Sequence, residues 1–73
     1  MLLVHSVVAL LEDSPQHGLV RGQVGTIVDV WTPDIYEVEF CDDQGKAYAY
    51  VALRAEQMVQ LHYDPVQSLL DAN

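Results

Sequence analysis

Apolar runs separated by turn-forming residues make up most of the chain. The run from residue 4 to residue 11 is rich in valine and leucine, which is typical of a buried first strand. The run from Val24 to Trp31 predicts a second strand, and its alternation places Val28 and Val30 on one face. A glycine within that run, Gly25, indicates a bulge or the close approach of another backbone.

Alternation is clearest between Ile35 and Cys41, which predicts a third strand at the centre of the fold. Its large apolar side chains share one face, namely Tyr36, Val38 and Phe40. Its acidic side chains share the other face, namely Glu37 and Glu39. The apolar triplet is therefore expected to point into the core and the glutamates into solvent.

Both faces of the fourth predicted strand, Lys46 to Leu53, are apolar. One face carries Ala49, Val51 and Leu53. The other face carries Tyr48, Tyr50 and Ala52. The alternation therefore leaves open which face is buried. One helical turn over residues 54–57 and a closing strand from Met58 to Tyr63 are predicted to follow.

Turn-forming residues join these strands. Residues 12–22 form a glycine-bearing loop, and Thr32-Pro33-Asp34 predicts a turn. The segment from Asp42 to Gly45 predicts a hairpin in which Gly45 has a positive φ. Five short strands at such close intervals predict an all-β, small antiparallel barrel over residues 1–63, whose closure would limit exposed strand edges.

The last ten residues have a different pattern. Asp64 suits the N-cap of a helix and Pro65 its first position. Val66, Leu69 and Leu70 then recur at helical spacing, so residues 64–73 are predicted to form a short helical tail. Two turns of helix are not stable alone. The tail is therefore expected to dock on its own barrel or on another chain.

Composition limits the classes of function. A chain of 73 residues is a single domain near the lower limit for folding on one core. Eleven acidic residues stand against three basic ones, which gives a net charge of −8. Arg21, Lys46 and Arg54 cannot form a basic stripe, so binding to nucleic acid or to an anionic membrane is disfavoured. A basic protein partner, or simple solubility, fits this balance.

Cysteine content and the N-terminal run bear on location. Cys41 is the only cysteine, which leaves neither a disulfide nor a cysteine-rich structural zinc site. The apolar N-terminal run lacks a basic flank and a cleavage site, and it is too short to span a bilayer. A cytoplasmic protein with a reduced thiol is expected.

Four segments carry a resemblance to a known family. They read Val-Val-Ala-Leu-Leu-Glu-Asp from Val7, Gly-Leu-Val-Arg-Gly-Gln-Val-Gly-Thr-Ile-Val from Gly18, Tyr-Glu-Val-Glu-Phe from Tyr36 and Asp-Gln-Gly-Lys-Ala-Tyr-Ala from Asp43. In their order and spacing, residues 3–61 resemble a family of short bacterial proteins catalogued as a domain of unknown function. The resemblance implies a five-stranded Src-homology-3-like barrel without catalytic activity, and it is compatible with an antitoxin-like or immunity-like role.

A shorter likeness opens two alternatives. The segment Arg-Gly-x-x-Gly-Thr-Ile-Val, within residues 17–30, is similar to the glycine-bearing turn of KOW segments and of the nitrile hydratase β-subunit barrel. The first alternative is a nucleic-acid-associated barrel, and the second is an accessory barrel of an enzyme. KOW segments are usually basic whereas this chain is acidic, which counts against the first.

Residues that could carry chemistry lack the spacing that the chemistry needs. His5, His17 and His62 form no metal-binding motif, although His5 and His62 could approach if the terminal strands pair. Cys41 precedes two aspartates, which raise a thiol pKa rather than lower it. The acidic pairs at residues 12–13 and 42–43 lack the alternation of a calcium loop. No catalytic residue, metal ligand or cofactor is therefore predicted.

Aromatic residues in excess of what a small core needs indicate a binding surface. The predicted anchors are Trp31, Tyr48 and Tyr50. The predicted acidic rim around them consists of Glu37, Glu39, Asp42 and Asp43. The leading hypothesis is therefore a non-catalytic, acidic protein-interaction module that binds a basic protein partner or a second copy of itself.

Overall fold

The fold was examined in a computed structural model that describes residues 2–61. Five strands account for most of them: β1 (Val7–Leu10), β2 (Val24–Thr32), β3 (Ile35–Cys41), β4 (Ala47–Arg54) and β5 (Met58–Leu61). Short 3-10 turns lie at Pro15–His17 and Ala55–Gln57. Within the described range, no helix is long and apolar enough to cross a membrane.

The strands form one sheet in the order β4-β3-β2-β1-β5, and each neighbouring pair is antiparallel. The all-β prediction with five antiparallel strands is confirmed. Strands β4 and β5 stand at the two ends of this hydrogen-bonded order, so the pairing within residues 2–61 does not close the sheet into a barrel. The predicted helical tail at residues 64–73, together with His62 and Tyr63, lies outside the described residues.

One apolar cluster receives side chains from all five strands and from one loop. Its buried members are Val8, Leu10, Leu19, Ile27, Tyr36, Val38, Phe40, Val51, Leu53 and Met58. The inward-facing triplet predicted for the third strand is confirmed, because its three side chains are at most 1% exposed. Alternation along a strand requires that β3 send its remaining side chains to the opposite face.

Register with β3 determines which face of β4 is buried. Val38 lies opposite Val51, and Tyr36 lies opposite Leu53. Residues directly opposite in an antiparallel pair point to the same side of the sheet. Val51 and Leu53 therefore join the core, while Tyr48 and Tyr50 are left on the outer face.

A register shift in β2 separates two valines that were predicted to lie on the same face of the sheet. Ile27 lies opposite Val38, but the next pair joins Asp29 to Glu37, so Val28 is an extra residue on the β2 side. Val30 packs against the core, whereas Val28 is the residue in the bulge and is not among those packed on the core. The prediction that both valines share a face is therefore corrected, because the bulge interrupts the alternation.

Gly25 marks the close approach that its position in a strand indicated. A Cβ atom there would lie 2.7 Å from Val38 Cγ1 and 2.9 Å from both Glu39 O and Phe40 Cε1. These distances are shorter than van der Waals contact, so any side chain at this position would push β2 away from β3.

Two local features shorten β1 and add a residue to the core. His5 has a φ of 77°, a left-handed conformation that interrupts the expected strand, which starts at Val7 instead of residue 4. In the loop that follows β1, Ser14 and Leu19 exchange two backbone hydrogen bonds of 2.9 and 3.1 Å. This pairing turns Leu19 inward, where it is 1% exposed.

Candidate protein-binding face

The outer surface of β2, β3 and β4 carries most of the residues that the sequence singled out. Its carboxylates come from Asp29, Glu37 and Glu39, and its aromatic rings from Trp31, Tyr48 and Tyr50. We call these six residues the acidic face. Glu37, Glu39 and Tyr50 point outward because their neighbours along each strand point into the core. Asp29 lies opposite Glu37 and so shares its side of the sheet, and Trp31 and Tyr48 are exposed at register shifts.

The carboxylates occupy the middle of this face. Asp29 on β2 lies directly opposite Glu37 on β3, and Glu37 in turn lies opposite Ala52 on β4. In the next row Glu39 lies between Thr26 and Tyr50. Like charges directly opposite each other destabilise a sheet, so the Asp29–Glu37 pair lowers stability.

Two of the aromatic rings lie at the ends of the face, whereas Tyr50 lies opposite Glu39 among the carboxylates. Trp31 occupies a register shift at the end of β2, beside the pair formed by Thr32 and Ile35. Tyr48 occupies a register shift at the start of β4, between the partners of Phe40 and Cys41. The seven residues of β3 separate these ends by roughly 20 Å. Trp31 and Tyr48 thus flank the carboxylates of Asp29, Glu37 and Glu39 along the sheet.

All three rings are accessible to a partner. The exposed fractions are 63% for Trp31, 60% for Tyr50 and 50% for Tyr48. The hydroxyl of Tyr48 accepts a 2.7 Å hydrogen bond from Gln23 Nε2, which holds this ring across the end of the sheet. Surface rings with a polar tip suit protein recognition because they bury apolar area and still satisfy their hydroxyl groups.

Glu39 connects two neighbouring side chains on the acidic face. The Cys41 thiol donates a hydrogen bond to Glu39 Oε1 at 3.2 Å. This bond, some loss of hydration and the nearby charges of Glu39 and Asp42 raise the pKa of Cys41. A hydrogen bond to Glu39, followed by the charge of that carboxylate, likewise raises the pKa of Tyr50. The face therefore keeps the thiol protonated, which is opposite to what a cysteine nucleophile requires.

The two aspartates predicted for the rim lie in the turn between β3 and β4. Asp42 Oδ1 accepts hydrogen bonds from the backbone N–H groups of Gln44 at 2.9 Å and Lys46 at 3.0 Å. Gly45 closes this turn with a φ of 80°, as predicted. Asp42 thus shapes the hairpin, whereas Asp43 is exposed at its tip.

Within residues 2–61, basic side chains do not neutralise the acidic face. Among residues 2–61 the only ion pair joins Arg54 Nε to Glu56 Oε1 at 2.7 Å, and both side chains are largely exposed. The carboxylates of Asp29, Glu37 and Glu39 have no salt bridge to a cation within that range. Their negative charge is therefore available to an external cation.

Residues 2–61 contain no pocket and no group of three or more metal-ligating side chains. Ser14 Oγ lies 2.8 Å from His17 Nδ1, but Ser14 is only 7% exposed. Strands β1 and β5 do pair, as the suggested approach of His5 and His62 requires, yet His62 lies outside the described residues.

A scan of family models identifies residues 4–60 as a match to the domain of unknown function DUF4926. The chain belongs to the DUF4926 family. This match confirms the family resemblance seen in the sequence. No curated protein and no solved structure gives a significant match.

One residue of the DUF4926 chain's acidic face, Asp29, was not among the predicted binding residues. Strict alternation from the buried Ile27 would point Val28 outward and Asp29 into the core. The bulge at Val28 shifts that register and brings Asp29 opposite Glu37. A bulge of this kind depends on contacts between strands, so the alternation of the sequence did not reveal it.

Proposed function

We propose that this protein is a non-catalytic binding module whose acidic face takes up a basic segment of a protein partner. One observation carries the proposal: Asp29 and Glu37 lie directly opposite each other in the sheet, and neither has a salt bridge within residues 2–61. Such a pair lowers the stability of the sheet. A cation supplied by a partner would turn this repulsion into attraction.

The flanking rings fit the same kind of ligand. A Lys or Arg side chain that reaches the carboxylates would pass close to Tyr50, and an Arg at the far end could stack on Trp31. Charges on such a face accelerate the encounter, whereas the rings that a partner buries on binding supply most of the affinity. A basic partner fits better than a second copy of this face, because two such faces would repel each other.

The finer architecture that we propose is a Src-homology-3-like barrel with a short C-terminal helix. Support for the barrel comes from the single apolar cluster, which unites Leu53 of β4 with Met58 of β5 although these strands do not pair. A flat sheet would hold its two end strands far apart. We also propose that the protein is cytoplasmic and that it neutralises a basic partner in an antitoxin-like or immunity-like way.

Capture of partners from the native host tests this function. The double variant Asp29→Asn/Glu37→Gln should lose a partner that the wild-type protein retains, and raising the salt concentration should release it. The matched control Glu12→Gln/Glu56→Gln removes the same charge from loop and turn positions outside the acidic face. Equal loss of the partner in both variants would show that net charge, and not this face, is responsible.

The aromatic contribution requires its own variant. Trp31→Ala should weaken capture of the same partner without unfolding the sheet, because the ring is exposed. Thermal unfolding of the purified variant checks the fold. Unchanged capture would remove Trp31 from the proposed surface.

A test of nucleic-acid binding distinguishes this proposal from the KOW-type alternative. A net charge of −8 predicts no binding of DNA or RNA at physiological salt. Fluorescence anisotropy with labelled single- and double-stranded oligonucleotides measures this directly. Binding in the micromolar range or tighter would replace the protein-binding proposal with the nucleic-acid alternative.

A further inference from the structure

A second exposed surface lies on the outer side of β5, β1 and the start of β2. It carries Val7, Ala9, Val24, Val59 and Leu61, which we call the apolar face. The four larger side chains are each 41–50% exposed. A contiguous apolar patch of a few hundred Å² on a small protein is often a contact site.

The strand register joins these residues into two rows. Val7 pairs with Leu61 on β5 and with Thr26 on β2. Ala9 pairs with Val59 on β5 and with Val24 on β2. Neither row contains a charged residue. The apolar face is therefore distinct in chemistry from the acidic face, although both lie on the outer side of one sheet.

We propose that residues 62–73 of the same chain fold back and cover the apolar face. The chain leaves β5 at Leu61, which is itself part of this face, so the twelve residues that follow begin at its edge. They carry Val66, Leu69 and Leu70 at helical spacing, which would present these three side chains together. This segment lies beyond the family match, which ends at residue 60.

Area and charge favour this occupant over a second copy of the chain. The exposed area of the apolar face is on the order of 300 Å², whereas each partner in a typical stable complex buries about 800 Å². Each copy carries a net charge of −8, which opposes association. A segment attached to Leu61 avoids the loss of translational and rotational freedom that a separate molecule suffers. A small contact therefore suffices for the attached segment.

The consequence is protection of an otherwise vulnerable strand. Strand β5 ends the hydrogen-bonded order, and its outer side chains Val59 and Leu61 are exposed. Exposed apolar strands at a sheet edge are sites of aggregation. The covering segment would leave the acidic face as the surface open to a partner.

Paired variants of the full chain test this proposal. Leu69→Asp/Leu70→Asp should expose the apolar face, which raises the fluorescence of a hydrophobic dye several-fold and shifts the amide resonances of β1 and β5. The control Gln67→Asp/Ser68→Asp adds the same charge to neighbouring positions of the segment. It should leave both readouts near those of the wild type. Identical behaviour of the two variants would overturn the proposal.

A double-mutant cycle tests the contact itself. Val59→Ser and Leu70→Ser should each lower the urea midpoint, and together they should lower it by less than the sum of the two shifts. Additive shifts would overturn the contact. Sedimentation velocity on the same proteins should show monomers. A dimer that either substitution dissociates would assign the apolar face to a second copy and overturn the proposal.

Discussion

The two faces of strand β3 differ in what they contribute. The inner face places Tyr36, Val38 and Phe40 in the core, where at most 1% of each side chain is exposed. The outer face places Glu37 and Glu39 at partly exposed positions, with Glu37 opposite a like charge. The inner face thus stabilises the sheet and the outer face lowers its stability. Because alternation separates the faces, substitutions on one can test recognition while the other preserves the fold.

The largest effect is expected from a charge on the inner face. Val38→Asp should abolish cooperative folding, because an unpaired buried carboxylate costs several kcal/mol, comparable with a domain's total stability of about 5–15 kcal/mol. Circular dichroism and thermal unfolding measure this. The neighbouring outward substitution Glu37→Ala should unfold cooperatively, as the wild type does. Wild-type stability of Val38→Asp would contradict the difference between the two faces.

A smaller loss is expected where β2 lies closest to the inner face. Gly25→Ala would place a Cβ atom 2.7 Å from Val38 Cγ1 and 2.9 Å from the Glu39 carbonyl oxygen. Overpacking of this kind costs about 1–3 kcal/mol. Urea unfolding should show that loss, with a smaller one for the adjacent, outward-facing Thr26→Ala. Equal losses would mean that the close approach has no energetic consequence.

Two tyrosines, one on the inner face and one on the outer face, allow the two faces to be compared by removing a single hydroxyl group. Tyr36 donates a 2.9 Å hydrogen bond to the Pro33 carbonyl oxygen and accepts one from the Leu2 backbone N–H at 3.2 Å. Tyr36→Phe should therefore lower the free energy of unfolding by about 0.5–1.5 kcal/mol. Tyr50→Phe, on the outer face, should change it little because that side chain is 60% exposed. A larger loss of unfolding free energy in Tyr50→Phe than in Tyr36→Phe would contradict the assignment of Tyr36 to the inner face and Tyr50 to the outer face.

The smallest effect concerns the reactivity of a thiol on the outer face. The hydrogen bond to Glu39 raises the pKa of Cys41, so at a given pH below that pKa less thiolate is present and alkylation is slower. Glu39→Gln should lower this pKa toward its usual value and speed the reaction of Cys41 with iodoacetamide at pH 8. Glu37→Gln removes the same charge without touching Cys41 and serves as control. Equal rates in the two variants would exclude the specific role of Glu39.

Much of the local structure follows from the sequence by itself. Alternation placed the third strand at Ile35–Cys41 and turned its apolar triplet inward, as observed. Asp42 and Gly45 indicated the hairpin that the structure contains. The exposure of Trp31 and Tyr50 also agrees with the prediction. These features depend on alternation with a period of two and on the conformational preferences of single residues, both of which are local.

Pairing between strands decided the rest. Register with β3 selected the buried face of β4, which was apolar on both sides. A bulge at Val28 brought Asp29 opposite Glu37, and a backbone pair with Ser14 turned Leu19 of the loop into the core. Each of these outcomes depends on hydrogen bonds and packing between segments far apart in the chain. A local pattern cannot specify them, because one added residue in a strand moves every later side chain to the other face.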